Sequence, residues 1–546
     1  MNIMMLLEMT SGTFPDRVAF VDGSSGARLT YSELFDAAGR RAAAIQASGS
    51  NRVGMLDVSS LATPLSLFSS GWAGIPYAPI NYRLTNEEIK ALLARITPAY
   101  LVTDDARVGE MGALDDVSAI TKDQFLDHGG FDHDTADAWN MDPEEVAVLL
   151  FTSGTTGAPK AAVLRHKHLV SYILGSVEFA SADEEEAALV CVPPYHIAGI
   201  AAVLSSVYSG RRVVQLPNFS AEAWIDLART EKITTAFVVP TMLARIVEAL
   251  EGESDAGMPH LGAVSYGGGK MPLSVIERAM QLFPNTDFTN AYGLTETSST
   301  ITVLGPVEHR SAHSSDDETV RRRLVSVGQA LPGIEIEIRD DEGKLMGPGE
   351  RGEIYVRGEQ VSGEYEGRGK VTDNDGWFPT RDAGSMDHEG YLFLEGRADD
   401  VIVRGGENMS PGEIEDVLLE HEAVGDAARH ADVDVEDKGQ RDRRERDLHA
   451  QPARPKAEHL LLAALRVGVD AGHKPSLVVA LKVEARAHRR LARGDLAPLR
   501  VEVGLRWRRR RRRRRRRAEL AAELRVFSLQ ALDLGAQLRV GVVALA

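Results

Sequence analysis

From residue 1 to about 425, short apolar runs alternate with helical patterns and with turns rich in Gly and Pro. Val146-Ala147-Val148-Leu149-Leu150-Phe151 has no polar break, as expected of a strand covered on both faces. This rhythm predicts an α/β protein of parallel sheets with crossover helices. Ile334-Glu335-Ile336-Glu337-Ile338 and Glu353-Ile354-Tyr355-Val356-Arg357 alternate strictly instead, predicting half-buried antiparallel strands in a smaller β-rich unit. Glu308 to Arg323, polar and charged, reads as a solvated loop between the two regions.

The best candidate for a membrane span, Ala187 to Gly210, is broken by Pro193, Pro194 and His196, short of the roughly 18 apolar residues needed. The apolar start MNIMMLLEM has no basic leader and no small-residue cleavage site, so the cytoplasm is the expected compartment. Cys191 is the single cysteine, which excludes an internal disulfide and a cysteine-cluster metal site. It reads as a small buried apolar side chain. With 546 residues, 43% of them apolar, the chain has material for about three or four compact units.

Charge divides the chain. Residues 1–425 carry 33 Lys and Arg against 64 Asp and Glu, a net of -31, whereas residues 426–546 carry 29 against 16, a net of +13. An acidic surface repels nucleic acid, so no specific nucleic-acid partner is expected for the first part. Residues 426–546 lack Ile, Thr, Asn, Tyr, Met and Cys altogether, and Arg508–Arg517 is an unbroken run of arginines. Packed domains rarely do without these strand and turn residues. The segment reads either as a basic tail that binds RNA or an acidic surface, or, the reading its composition favours, as an out-of-frame extension.

Chemistry concentrates first in Leu149–Leu169, LLFTSGTTGAPKAAVLRHKHL. After an apolar strand, Thr152, Ser153, Gly154, Thr155, Thr156 and Gly157 supply four hydroxyls and two glycines, with Lys160 close behind. Glycine lets backbone N–H groups approach an anion, hydroxyls donate further bonds and the lysine adds a point charge. This suits a polyphosphate. It is not a P-loop, because Pro159 precedes the lysine and no Ser or Thr follows it.

TSGTTGAPK closely resembles the phosphate loop of the AMP-forming acyl-CoA synthetases, members of the adenylate-forming superfamily, and further motifs follow in that family's order over residues 10–425. The resemblance implies a large adenylation domain over residues 1–396, made of two helix-covered sheets and a small β-rich subdomain. A hinge and the start of a small α+β C-terminal domain follow over 397–428, then the atypical Arg-rich stretch 429–546, leaving that domain incomplete. In Val192-Pro193-Pro194-Tyr195-His196-Ile197-Ala198-Gly199, it implies that His196 lies beside the acyl pocket and the α-phosphate. Gly268, Gly269 and Lys270 of YGGGK resemble the loop against which adenine lies; glycine offers such an approach without a Cβ clash. In Asn290-Ala291-Tyr292-Gly293-Leu294-Thr295-Glu296, the likeness implies that Tyr292 stacks on adenine, Thr295 contacts the α-phosphate and Glu296 ligates magnesium. A carboxylate beside a polyphosphate needs a hard cation between them.

Likewise Asp382, in GWFPTRD, corresponds to the acid that grips both ribose hydroxyls, and Arg397 to a residue reaching ribose or phosphate. The family has glycine where Arg381 stands here. Ala398-Asp399-Asp400 resembles the hinge, and Gly405 and Gly406 a loop facing the pantetheine arm of coenzyme A. The implied reaction is acid:CoA ligation with ATP, magnesium and coenzyme A: acyl-adenylate forms with pyrophosphate as leaving group, and the thiolate then displaces AMP. Lys160, His196 and Thr295 are its candidate catalytic residues. A fatty acid is favoured by the apolar stretches Ala198–Leu204 and Val238–Leu243, with an aryl or alicyclic acid behind it. A domain that loads a carrier protein is the enzymatic rival, and an Arg-rich RNA-associated protein with a degenerate nucleotide site is the non-enzymatic one. The family's C-terminal catalytic lysine has no counterpart: none of Lys438, Lys456, Lys474 or Lys482 stands in a Pro-rich, Gly-Lys context, so adenylation is expected to be impaired.

Overall fold

The computed structural model describes residues 1–127, 134–152 and 159–398, and, further on, the strand backbones at 402–404, 407–409, 429–430, 464–465, 478–483, 500–506 and 539–543. The chain separates into two compact units, Met1–Asp399 and Asp400–Ala546.

Two large sheets and one small one build the first unit. The apolar run beginning at Val146 becomes strand Val146–Thr152 in an eight-stranded sheet, antiparallel to Lys160–Arg165 on one side and beside the parallel strands Tyr77–Pro79, Arg52–Leu56, Ala99–Thr103 and Val117–Thr121 on the other. A nine-stranded sheet holds the parallel strands Ala187–Val190, Arg212–Gln215, Thr235–Val238, Ala263–Gly267 and Asp287–Leu294, the last followed by antiparallel Ser299–Leu304. Helices connect the successive parallel strands, as the rhythm of apolar runs predicts.

The helices Met4–Thr13, Tyr31–Ala47, Ala62–Ala73 and Ile197–Ser209 share one hydrophobic core with both sheets, Met55, Val148 and Leu150 from one and Phe20, Val190 and Val213 from the other. Local chemistry fixes several helix starts. Thr30 and Thr85 each accept a bond from the backbone three residues on while Glu33 and Glu88 reach back, closing capping boxes. Cys191 is buried, as its context suggests.

The strictly alternating segments form the small sheet, Glu335–Arg339, Gly352–Arg357, Phe378–Met386 and Leu392–Arg397, antiparallel throughout. The solvated loop expected over Glu308–Arg323 is a correction. Pro306–Ser314 is a helix with proline in its first turn, His309 and Ala312 buried beneath it, and Glu318–Arg321 forms a further helical turn. Among the described residues no helix is long and apolar enough to cross a membrane.

In the second unit Ile402–Arg404 pairs with Glu407–Met409, and Arg429–His430, Ala464–Leu465, Val478–Val483, Arg500–Arg506 and Arg539–Val543 form a five-stranded sheet.

Candidate active site

One turn, one hairpin and the strand that begins at Lys160 converge. Strand Asp287–Leu294 ends in a single 3-10 turn, Thr295–Thr297, which places Thr295 half-buried and Glu296 only 8% exposed. Close approach of the backbone requires glycine at 293, because a Cβ there would meet the Ser299 carbonyl oxygen at 1.8 Å. On the small sheet Asp382 and Arg397 are cross-strand partners, so their side chains meet: Arg397 Nη1 donates to Asp382 Oδ1 at 2.6 Å. Tyr292 Oη donates to the other carboxylate oxygen, Oδ2, at 2.7 Å. Burial, reinforced by the Asp382 charge, pushes the Tyr292 hydroxyl well above the ordinary tyrosine value, so it stays protonated and able to donate. Although partial burial opposes the Arg397 charge, Asp382 raises the guanidinium above its usual value, with Tyr292 and Glu296 adding to it.

A tyrosine that no motif pointed to connects this cluster with the phosphate strand. Tyr365 Oη donates to Glu296 Oε1 at 2.6 Å, and Lys160 Nζ lies 5.5 Å from the centroid of the same ring. Lys160 opens strand Lys160–Arg165, paired in register with Thr152, and lines a cleft with Arg95, Tyr365 and Arg368. Lys160, Tyr292, Glu296, Asp382 and Arg397 are therefore brought together. Ser153, Gly154, Thr155, Thr156, Gly157, Gly405 and Gly406 lie outside the described residues, as do the side chains of Lys438, Lys456, Lys474 and Lys482.

The remaining expected residues have separate surroundings. Asn290 is buried and donates its amide to the Ser326 carbonyl at 2.9 Å, a structural bond, while Ala291 is half-buried. Gly268, at φ +77°, Gly269 and Lys270 form an exposed turn. Beneath them Tyr266 Oη meets His309 Nε2 at 2.8 Å in a buried pair. His196 stands at the N-terminus of helix Ile197–Ser209, its ring 4.6 Å from that of Tyr195. His196 is exposed, although desolvation by the surrounding protein, followed by the Arg83 guanidinium, lowers its imidazole below the ordinary histidine value. Of the apolar stretches expected to line an acyl pocket, Ile200, Val203 and Leu204 are used in one core and Val238 and Leu243 in another. Ile197, Ala198 and Ala202 remain half-buried at the core's edge.

A magnesium ion fits this donor set. Among the described residues no group of three or more His, Cys, Asp and Glu side chains forms a protein cage. Magnesium does not need one, since it keeps waters and takes substrate phosphate oxygens beside one or two carboxylates. Glu296 can supply such a carboxylate, with Tyr365 holding Oε1 and Lys160 Nζ 5.5 Å from the centroid of the same tyrosine ring.

Arg381 accounts for the one departure in the ribose motif. Its φ is +64°, in the left-handed region where glycine is at ease, and it lies between the register irregularities at Glu353/Tyr355 and Ala383/Gly384. Such a residue costs on the order of 1 kcal/mol or more. Its ion pair with Glu353 spans 3.9 Å with the arginine 63% exposed, so losing it costs less. Arg381→Gly is expected to raise stability by about 1 kcal/mol, read as a higher thermal midpoint. An unchanged or lower midpoint would count against strain at this position.

A model described as "AMP-binding enzyme" matches residues 7–366. A fatty acid–acyl-carrier-protein ligase of Streptomyces coeruleorubidus is 32% identical over 74% of this chain and 78% of its own. A 2-succinylbenzoate–CoA ligase of Bacillus licheniformis is 29% identical over 76% and 83%. The solved o-succinylbenzoate coenzyme A synthetase of Bacillus subtilis, in complex with ATP and magnesium ion, superposes with a TM-score of 0.67 at 27% identity, covering 80% of this chain and 87% of that one. Its complex with the acyl-adenylate intermediate gives 0.68 at 28% identity, over 79% and 85%. With the phosphate-loop lysine, the Thr-Glu turn and the aspartate hairpin gathered in one unit, the chain belongs to the AMP-binding enzyme family.

Proposed function

We propose that this chain joins a carboxylic acid to a thiol by way of an acyl-adenylate, with ATP as the activating substrate and coenzyme A as the acceptor. The observation that carries the reading is the network Lys160–Tyr365–Glu296 beside Tyr292–Asp382–Arg397. It offers a cation for phosphate, a carboxylate for a metal and an acid–base pair for a ribose, spaced within one network.

The bound acid's carboxylate oxygen attacks the α-phosphorus, the bond to the pyrophosphate oxygen breaks, and a thiolate then displaces AMP from the acyl carbon. No protein nucleophile is needed, and the chain's part is proximity and charge stabilisation. Lys160 holds phosphate charge and Asp382 and Arg397 orient the ribose, while the motif resemblance assigns Thr295 and His196 to the reacting end. Imidazole held below its ordinary value stays neutral at pH 7 and can orient a carboxylate without trapping it as an ion pair. Magnesium, when bound at Glu296, supplies charge neutralisation for the leaving pyrophosphate.

A fatty acid is the substrate we favour, on the name of the 32%-identical relative and on the half-buried apolar surface of Ile197, Ala198 and Ala202. The relatives named for 2-succinylbenzoate keep an aryl acid as the alternative. The carrier-protein acceptor in that same 32%-identical relative's name favours a second reading, loading of a carrier domain. Purified chain with ATP, magnesium and a panel of fatty and aryl acids should release pyrophosphate only when an acid is present, and should yield acyl-CoA on addition of coenzyme A. With no lysine beyond residue 425 in the catalytic context, turnover is expected at about 10² to 10³ below that of a complete family member. Acyl-adenylate that accumulates with coenzyme A but discharges onto a carrier protein would select the second reading. Absence of acid-dependent pyrophosphate release would overturn both.

A further inference from the structure

The segment Gln360–Glu366 binds the Thr-Glu turn to the strand that follows the phosphate loop, and both its ends are anchored. Toward the turn, the backbone N–H groups of Ser362 and Gly363 converge on one acceptor, the Glu296 carbonyl, at 2.9 and 3.2 Å. The Gln360 amide donates to the carbonyls of Thr297 and Thr300 at 3.0 and 2.7 Å, and Gln360 is only 7% exposed. Toward the strand, Ser362 Oγ donates to the Val163 carbonyl, Tyr365 pairs with Ala162, and Glu366 N donates to the Ala161 carbonyl at 2.9 Å. Arg165 grips Glu364 with two bonds of 3.0 and 2.7 Å, both side chains largely withdrawn from solvent.

The strap thus holds the backbone of Glu296 from one side while Tyr365 holds its side chain from the other. A glutamate has three rotatable bonds, and a metal carboxylate left free would lose that rotamer entropy each time a cation bound. With Oε1 committed to Tyr365, the second oxygen is the one left for a cation. Tyr365 also brings Glu296 near Lys160, since its hydroxyl holds the carboxylate while the ammonium lies 5.5 Å from its ring centroid.

We propose that Tyr365 is a positioning residue for the metal-binding carboxylate, and that the Gln360–Glu366 strap presets Glu296 for magnesium relative to Lys160. This rests on the adenylating reading of the site. Tyr365 acts through Glu296, by the bond from its hydroxyl to Oε1.

The test compares ATP binding by calorimetry in excess magnesium and in EDTA, without any acid and so without turnover. Wild-type chain is expected to bind ATP more tightly with magnesium than without. Tyr365→Phe keeps the ring beneath Lys160 and removes only the hydroxyl. It should weaken the magnesium-dependent affinity about tenfold, the size expected for one bond to a charged group, and leave the EDTA value within about twofold. Binding of Mn²⁺ with ATP, followed by electron paramagnetic resonance, should weaken in parallel.

Equal affinities for wild type and Tyr365→Phe in magnesium would overturn the proposal, as would an equal loss with and without metal, which a merely structural role would give. Should the phenylalanine variant not fold, the same pair of titrations on Glu364→Gln decides, since it loosens the strap at Arg165 and leaves Glu296 and Tyr365 in place. A wild-type chain that binds ATP in neither condition would sink the adenylating reading itself, an outcome distinct from these.

Discussion

Glu296→Gln is expected to lower acid-dependent pyrophosphate release by about 10² to 10³, the range seen when one charge-stabilising group is removed from a reacting centre. The substitution keeps volume and leaves an acceptor for Tyr365, whose bond to Oε1 is 2.6 Å. What it removes is the negative charge. A neutral amide oxygen is a poor ligand for a hard cation, so the loss should be partly recovered at high magnesium concentration and should appear in kcat as well as in the KM for ATP. Isotope exchange between pyrophosphate and ATP measures the step directly. An exchange rate within twofold of wild type at low magnesium would remove Glu296 from the metal role.

Asp382→Asn carries the second large effect, about 10- to 100-fold in kcat/KM for ATP. Both oxygens of Asp382 accept from donors, Oδ1 from Arg397 and Oδ2 from Tyr292. Asparagine offers one oxygen and one NH2 group, and an arginine has no acceptor to give it. Whichever way the amide turns, one acceptor site is lost, and turned toward Arg397 it sets donor against donor. The Asp382 carboxylate is only 15% exposed while Arg397 is 48% exposed, so water relieves the mispairing on the arginine side alone. The effect should fall mainly on KM, because ribose is gripped equally in substrate and transition state. An unchanged KM for ATP in a folded Asp382→Asn protein would separate this aspartate from the nucleotide.

Much of this architecture could be read from the chain because its signals are local. The apolar run from Val146 has no polar side, so it had to be covered on both faces, and Ile334–Ile338 alternates, so it had to be covered on one. The residues that the structure gathers at the candidate site, Lys160, Tyr292, Glu296, Asp382 and Arg397, stand in motifs whose spacing is visible in sequence. Two features escaped for opposite reasons. Pro306–Ser314 turns so little of itself inward, His309 and Ala312, that its polarity reads as a loop, although Pro306 is a helix-start signal. Tyr365 belongs to a strand of two residues, Glu364–Tyr365, too short for any period to show, and its partners Ala162 and Glu296 are remote in sequence. Tertiary pairing alone gives it meaning. The apolar stretches near His196 are legible as buried but not in what they face, since hydrophobicity does not say whether a side chain meets a ligand or a neighbouring helix.

The grip of Arg165 on Glu364 joins residues 199 positions apart. During synthesis at roughly 5 to 20 residues per second, the phosphate strand emerges many seconds before its clasp exists. Assembly of this network must therefore be a late event in the life of each new chain, and a fragment that stops short of residue 360 would be born with its lysine and its glutamate but without the tether between them.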